Sequence, residues 1–122
     1  MTDAELAAQI AESAGKVLLS IRDSGLFEGK ALGRAGDKIA NCFIIDALHA
    51  QRPGDAILSE ESLDTTDRLT HDRVWIVDPL DGTREYCEGR ADWAVHIALS
   101  IGGSPSLGPP RPAVSRTRSG RS

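Results

Sequence analysis

Two aspartates, Asp78 and Asp81, stand three residues apart in the stretch Asp78-Pro79-Leu80-Asp81-Gly82-Thr83. The apolar residues 74–77 before them predict a buried strand that ends at Asp78. Pro79 has no N–H group to donate, so we expect the strand to stop there, an Asp81-Gly82 turn to follow, and Thr83 to cap a short helix. Carboxylates are ligands that Mg²⁺ prefers, and free N–H groups at a helix start attract phosphate. The stretch therefore predicts metal-assisted phosphoryl chemistry.

A second acidic pair follows another predicted strand. Glu60 and Glu61 come directly after the short apolar run Ala56–Leu58, much as Asp78 follows residues 74–77. Both sets of carboxylates could therefore meet at the same end of one sheet. Paired glutamates are more often simply solvated, so the pair alone leaves both interpretations open.

The nine residues Trp75-Ile76-Val77-Asp78-Pro79-Leu80-Asp81-Gly82-Thr83 resemble the signature of the inositol monophosphatase superfamily, the Mg²⁺-dependent, Li⁺-sensitive phosphomonoesterases. An Asp-x-x-Asp-Gly pattern by itself also occurs in ordinary turns, but the full signature favours the family. The resemblance covers about residues 3–101, the N-terminal portion of a family member. Arg84-Glu85-Tyr86 and residues 92–99 are similar to the bacterial 3′(2′),5′-bisphosphate nucleotidases of sulfur assimilation.

The resemblance implies roles for particular residues, with two or three Mg²⁺ ions in the intact family. The implied metal ligands are Glu60, Asp78, the backbone carbonyl of Leu80, and Asp81. The implied catalytic residues are Asp37 and Thr83, which together activate the attacking water, and Glu61, which positions a water. The implied substrate-binding residues are Glu60, Asp81, Gly82 and Thr83.

Three further residues have open interpretations. Without the resemblance, Asp37 would be taken as the N-cap of a helix. Arg84 follows the signature and either contacts a phosphate or lines the rim. His96 lies in an apolar strand without a ligand partner nearby in sequence, which favours a core or edge histidine.

The elements that must position these residues are two helices and several strands. Apolar residues at helical spacing predict a first helix over residues 3–24, with a capping box at Thr2 and Glu5. The glycine-rich residues 25–36 predict a loop or irregular strand, and a second helix should run from about Asp37 to Gln51. Residues 62–73 read as a surface loop and Trp93–Leu99 as a strand.

These elements and the resemblance together predict an α+β fold. It is expected to be the N-terminal part of a layered αβαβα sugar-phosphatase fold, with two long helices packed on an antiparallel-rich sheet. We expect one domain over residues 1–101 and a disordered tail over residues 102–122, in which 17 of 21 residues are Gly, Pro, Ser or Arg. The abrupt change at Gly102 is typical of a chain that has lost its continuation through truncation or a frame shift.

Charge and composition exclude several partner classes. Four of the 14 basic residues and none of the 18 acids lie beyond residue 101, which leaves residues 1–101 with a net charge of −8. An acidic body argues against nucleic-acid binding. The sequence has no apolar run of membrane-spanning length and an acidic N-terminus, so we expect a cytoplasmic protein with no membrane partner. Cys42 and Cys87 lack metal or redox spacing and are expected to be reduced thiols.

Two functional hypotheses remain at this stage. The first is a Mg²⁺-dependent phosphatase acting on a small phosphorylated nucleotide or polyol. The second is a non-catalytic fragment that binds Mg²⁺ or associates with an intact homologue through an exposed apolar face. The family completes its second metal site with an aspartate from a later domain, in a Trp-Asp-x-Ala-like motif that this sequence does not contain.

Overall fold

The computed structural model describes residues 1–59 and 72–102, together with the backbone of residues 104–105 and 115–118. The elements in chain order are α1 (Asp3–Asp23), α2 (Gly29–Gln51), β1 (Ala56–Ser59), β2 (Arg73–Asp81), α3 (Thr83–Cys87), β3 (Ala94–Ile101), β4 (Ser104–Pro105) and β5 (Ser115–Arg118). Of the surface loop predicted over residues 62–73, residues 62–71 lie outside the described part, and Arg73 belongs to β2.

The start of α1 follows the predicted capping box. The Thr2 hydroxyl accepts a hydrogen bond from the Glu5 backbone N–H at 3.1 Å, and the Thr2 N–H donates to the Glu5 carboxylate at 2.9 Å. These two bonds satisfy N–H groups that a helix start leaves without partners. The same hydrogen bonds hold the pKa of Glu5 below its usual value. The first helix is therefore confirmed, with its boundaries at Asp3 and Asp23.

The second helix is longer than predicted, because residues 29–36 are helical and not a loop. Gly33 and Gly36 are buried within α2. A Cβ at Gly33 would lie 2.8 Å from the Thr83 methyl carbon, and one at Gly36 would lie 3.0 Å from both Leu18 and Tyr86 side-chain atoms. These glycines allow close packing against α1 and α3 and do not reverse the chain. The loop predicted from the glycine-rich residues 25–36 is therefore wrong for residues 29–36.

The sheet is mixed and mostly antiparallel. β1 pairs with β2 in parallel, and β2 pairs antiparallel with β3. The prediction that Pro79 ends the strand is wrong, because β2 continues to Asp81. Pro79 and Leu80 lie between the paired positions Asp78 and Asp81, opposite the single residue between His96 and Ala94 on β3. This extra residue is a β-bulge, where a proline without an N–H group disrupts no ladder hydrogen bond.

One face of the sheet packs against the two long helices and forms the core. The sheet contributes large side chains with almost no solvent exposure, among them Trp75 and Ile97, and the helices contribute Leu18, Ile44 and Leu48. The α+β prediction of two long helices on an antiparallel-rich sheet is confirmed. On the opposite face, Ile76 is 40% exposed.

Four charged side chains join the chain segments on the side away from α3. Arg73 pairs with Asp55 at 3.0 Å and with Asp3 at 2.9 Å, and Arg52 pairs with Asp3 at 3.1 Å. Asp55 also accepts a hydrogen bond from the indole N–H of the buried Trp75 at 2.9 Å. The hydrogen bond from Arg73 lowers the pKa of the Asp3 carboxyl below its usual range. This cluster connects the starts of α1, β1 and β2 to the end of α2.

The backbone of two segments beyond residue 102 is described as short strands. β4 pairs with Ser100 and Ile101, and β5 pairs with residues 94–97, both on the edge of β3 away from β2. The predicted disorder of residues 102–122 as a whole stays a prediction. None of the described helices α1, α2 and α3 combines the length and the apolar character that a membrane span requires.

Candidate metal and phosphate site

A cleft of about 850 Å³ lies between α2 and the segment that runs from the end of β2 through α3. The residues lining it are Gly29, Lys30, Gly33, Arg34, Asp37, Asp78, Leu80, Asp81, Gly82, Thr83, Arg84, Cys87 and Glu88. The cleft therefore contains all of the predicted site residues that fall within the described ranges, 1–59 and 72–102.

The β-bulge aims the two signature aspartates into this cleft. Asp78 and Asp81 are exposed, whereas Leu80 between them is buried. The ring nitrogen Nε2 of His96 lies 3.1 Å from Oδ2 of Asp81, and His96 is the β-sheet partner of Asp78. His96 is therefore a neighbour of the acidic pair and not a core residue. Strand alternation could have indicated this, because Val95 and Ile97 face the core and so place His96 on the other face.

The turn after β2 depends on Gly82. Its φ angle is 90°, in the left-handed region, and a Cβ there would lie 3.0 Å from the Asp92 backbone oxygen. Gly82 is the N-cap of α3 and Thr83 its first residue, so the prediction of a Thr83 cap is wrong. Glycine takes the position because both the backbone angle and the space exclude a side chain. The Thr83 hydroxyl instead donates to the Leu80 carbonyl at 3.4 Å.

The opposite wall of the cleft is the first half of α2. Asp37 lies inside the helix, more than one turn from its start, so its interpretation as an N-cap is wrong; the N-cap is Glu28. Asp37 and Thr83 line the same cleft. Their predicted pairing to activate water stays a prediction. Arg84 also lines the cleft, although its side chain is 84% exposed and pairs with Glu88 at 3.2 Å.

Arg22 on α1 holds the segment that follows the signature. Its guanidinium donates hydrogen bonds of 3.1 Å to the carbonyls of Tyr86 and Arg90. The same group lies over the rings of Tyr86 and Trp93, which contact each other edge to face with centroids 5.2 Å apart. A planar cation that both donates to carbonyls and stacks on rings fixes this segment in position and orientation. No sequence pattern indicated this role of Arg22.

Tyr86 is the only tyrosine and is fully buried beneath the site. Its hydroxyl donates to the Leu18 carbonyl at 2.5 Å. Burial raises the pKa of Tyr86 to about 12, from an ordinary value of 10.0. Below pH 10, both the folded and the unfolded chain keep the phenolic proton, so the stabilising contribution is complete.

We expect the free energy of unfolding to fall as the pH rises from about 10 toward 12, because only the unfolded chain releases this proton. Denaturant titrations across this range measure the effect, and tyrosinate absorbance reports Tyr86 directly. Tyr86→Phe should lose about 1 kcal/mol at neutral pH through the missing hydrogen bond. The free energy of unfolding of Tyr86→Phe should also fall less between about pH 10 and 12, because this variant has no phenolic proton at position 86. An equal alkaline decline in both proteins would contradict the assignment.

The donor chemistry of the cleft fits a hard divalent cation. Asp78 and Asp81 offer carboxylate oxygens and Leu80 a backbone carbonyl, the ligand types that Mg²⁺ takes. Among residues 1–59 and 72–102, no group of three or more acidic, histidine or cysteine side chains is close enough to hold a metal. The predicted ligand Glu60 and the predicted water-positioning residue Glu61 lie outside the described residues. Ser59 before them pairs with Val77, so β1 ends beside the residue preceding Asp78.

Comparison with known proteins agrees with this arrangement. A family model described as the inositol monophosphatase family matches residues 3–109. The chain belongs to the inositol monophosphatase family. A Mycobacterium leprae protein named 3′-phosphoadenosine 5′-phosphate phosphatase is 57% identical over 101 residues, which are 81% of this chain and 37% of that protein.

Two solved structures of the inositol monophosphatase family share the fold. Inositol monophosphatase II of Staphylococcus aureus superposes with a TM-score of 0.73 at 27% identity, over 83% of this chain and 38% of that one. CysQ of Bacteroides thetaiotaomicron superposes with a TM-score of 0.69 at 31% identity, over 82% of this chain and 38% of that one. The chain thus spans little more than a third of each of these three relatives.

Proposed function

We propose that the cleft is the substrate site of a Mg²⁺-dependent phosphomonoesterase. Its proposed substrates are 3′(2′),5′-bisphosphate nucleotides such as adenosine 3′,5′-bisphosphate, with inositol phosphates as the other class. The observation that carries this proposal is that Asp37, Asp78, Asp81 and Thr83 line one cleft although they come from distant parts of the chain. The similarity to the M. leprae phosphatase supports the nucleotide class.

In this proposal Asp78, Asp81 and the Leu80 carbonyl hold Mg²⁺, with Glu60 as a further ligand. Enzymes of this family are Mg²⁺-dependent in general. When bound, the metal supplies Lewis-acid stabilisation of the phosphoryl oxygens and lowers the pKa of a water molecule. Both carboxylates are exposed in the cleft, and their chain neighbours Val77 and Leu80 are buried.

The remaining residues orient the substrate and move a proton. The backbone N–H groups of Gly82 and Thr83 would donate to phosphate oxygens at the turn that the positive φ angle of Gly82 creates. Asp37 would accept the proton from the attacking water, with the Thr83 hydroxyl as its partner and Glu61 positioning the water. The product would be the nucleotide monophosphate and inorganic phosphate, without a covalent intermediate on the chain.

Phosphate release from adenosine 3′,5′-bisphosphate tests the proposal. We expect the purified chain to release phosphate in Mg²⁺, to stop when a chelator removes the metal, and to resume when Mg²⁺ is added back. Release that is equal with metal and with chelator would contradict it.

The second candidate is Mg²⁺ binding without turnover. Its supporting observation is that the Asp78 and Asp81 carboxylates line the cleft. The chain spans 37% of the M. leprae relative. Mg²⁺ binding measured by calorimetry, together with no phosphate release in any sample, would favour this candidate. The candidate also includes association of the chain with an intact homologue. If the chain neither binds Mg²⁺ nor releases phosphate, both candidate functions are wrong.

A further inference from the structure

The face of α2 that lines the cleft carries two cations, Lys30 and Arg34. Lys30, Gly33, Arg34 and Asp37 all line the cleft, at the i, i+3, i+4 and i+7 spacing of one helix face. Measured along the helix axis, Arg34 lies about 5 Å and Lys30 about 10 Å from Asp37. The α2 wall of the cleft therefore has a carboxylate at Asp37 and two cations toward the start of the helix.

Neither cation has an acidic partner in the described part of the chain. The ion pairs within residues 1–59 and 72–102 all involve other side chains. Arg84, the third cation of the cleft, already pairs with Glu88 at 3.2 Å. The first turn of α2 also contains no acidic residue, and the side chain of its N-cap makes no capping bond. Lys30 and Arg34 thus provide two positive charges beside the proposed reacting centre.

We propose that Lys30 and Arg34 bind a second, non-reacting phosphate of the substrate. This inference rests on the proposed function for the reacting phosphate. Bound Mg²⁺ would offset the charge of a phosphate beside Asp78 and Asp81. A second phosphate would lack that compensation and would be repelled by Asp37, Asp78 and Asp81. Guanidinium and ammonium groups one to two helical turns away supply the missing charge and phosphate-oxygen contacts. The ligand class is therefore a nucleotide or sugar with two separate phosphates.

The cleft volume agrees with this ligand class. An open cleft of about 850 Å³ is large enough to receive a nucleotide-sized molecule. A monophosphate would use only the part of the cleft beside Asp78 and Asp81, and Lys30 and Arg34 would contribute little to its binding. The two cations consequently act on substrate preference and not on the chemical step.

Two nucleotides that differ only in the second phosphate provide the test, adenosine 3′,5′-bisphosphate and adenosine 3′-monophosphate. The variant Lys30→Met/Arg34→Gln removes both charges with residues that favour helix. We expect its KM for the bisphosphate to rise about 10- to 100-fold with kcat within about twofold, because charge-assisted contacts are lost. KM for the monophosphate should stay within about twofold. Lys16→Met/Lys38→Gln removes the same charge from exposed positions outside the cleft and should change neither value.

Binding measurements separate this inference from the proposed function. If no turnover occurs, calorimetry with each nucleotide in the presence of Ca²⁺ or chelator still gives the affinity ratio of bisphosphate to monophosphate. A ratio that falls at least tenfold in Lys30→Met/Arg34→Gln supports the second phosphate site. An unchanged ratio, or an equal loss for both nucleotides, overturns it. The single variants serve the same comparison if the double variant fails to fold.

Discussion

Asp78→Asn is expected to reduce Mg²⁺-dependent phosphate release about 1000-fold, the equivalent of several kcal/mol of transition-state stabilisation. Asparagine has nearly the same shape, and Asp78 is exposed at the end of β2, so the fold should be retained. The neutral amide oxygen is a poorer ligand for Mg²⁺ than a carboxylate. Kinetics with adenosine 3′,5′-bisphosphate over a range of Mg²⁺ concentrations measure the loss.

A thermal unfolding experiment gives the same prediction a readout that does not depend on turnover. Mg²⁺ at about 100 times its dissociation constant should stabilise the wild-type chain by about 2.7 kcal/mol, because it binds only the folded state. Asp78→Asn should lose most of this stabilisation. Asp46→Asn removes a carboxylate from the exposed side of α2, outside the cleft, and should keep both activity and the Mg²⁺ effect. Equal stabilisation of all three proteins by Mg²⁺ would show that Asp78 is not a metal ligand.

Gly33→Ala is expected to damage both stability and catalysis, although alanine favours helix by about 1 kcal/mol over glycine. The added Cβ would lie 2.8 Å from the Thr83 methyl carbon and 3.1 Å from the Cys87 sulfur. Overpacking of this kind costs about 1–3 kcal/mol, so a net loss of about 1 kcal/mol is expected. A displacement of about 1 Å between Asp37 and Thr83 should lower kcat about 100-fold.

The double variant Gly33→Ala/Thr83→Ser tests the cause of these losses. Serine removes the methyl group that the new Cβ meets and keeps the hydroxyl. The double variant should therefore be more stable than Gly33→Ala, with a favourable coupling energy of about 1 kcal/mol relative to the two single variants. Urea denaturation measures all four proteins of the cycle. Additive effects would show that the Gly33–Thr83 contact does not set the spacing of α2 and α3.

The signature placed Asp78, Asp81, Gly82 and Thr83 on one turn, and the structure has all four in the same cleft. Its local geometry was predicted less well, because β2 continues past Pro79 to Asp81 and the cap of α3 is Gly82 and not Thr83. The start of α2 could not be placed from sequence, because Gly33 and Gly36 resemble loop glycines until the packing of Thr83, Tyr86 and Leu18 against them is known. A loop over residues 25–36 has no helical face, so the loop prediction did not place Lys30, Arg34 and Asp37 on one side of a helix.

Other differences have similar physical origins. Pro79 stops a regular ladder but is compatible with a bulge, and a bulge depends on register between β2 and β3 that a single strand does not reveal. The role of Arg22 depends on contacts with residues more than 60 positions away in sequence. The predicted roles of Glu60 and Glu61 stay predictions.

The two walls of the cleft come from residues 29–37 and 78–88, about 40 positions apart along the chain. A ligand that contacts both walls therefore acts as a reversible cross-link between distant segments. Its effect would extend beyond the turn it touches, since separating the walls requires α2 to leave the sheet. Backbone amides of α2 and β2 should consequently become slower to exchange with solvent together, as one cooperative unit, when the cleft is filled.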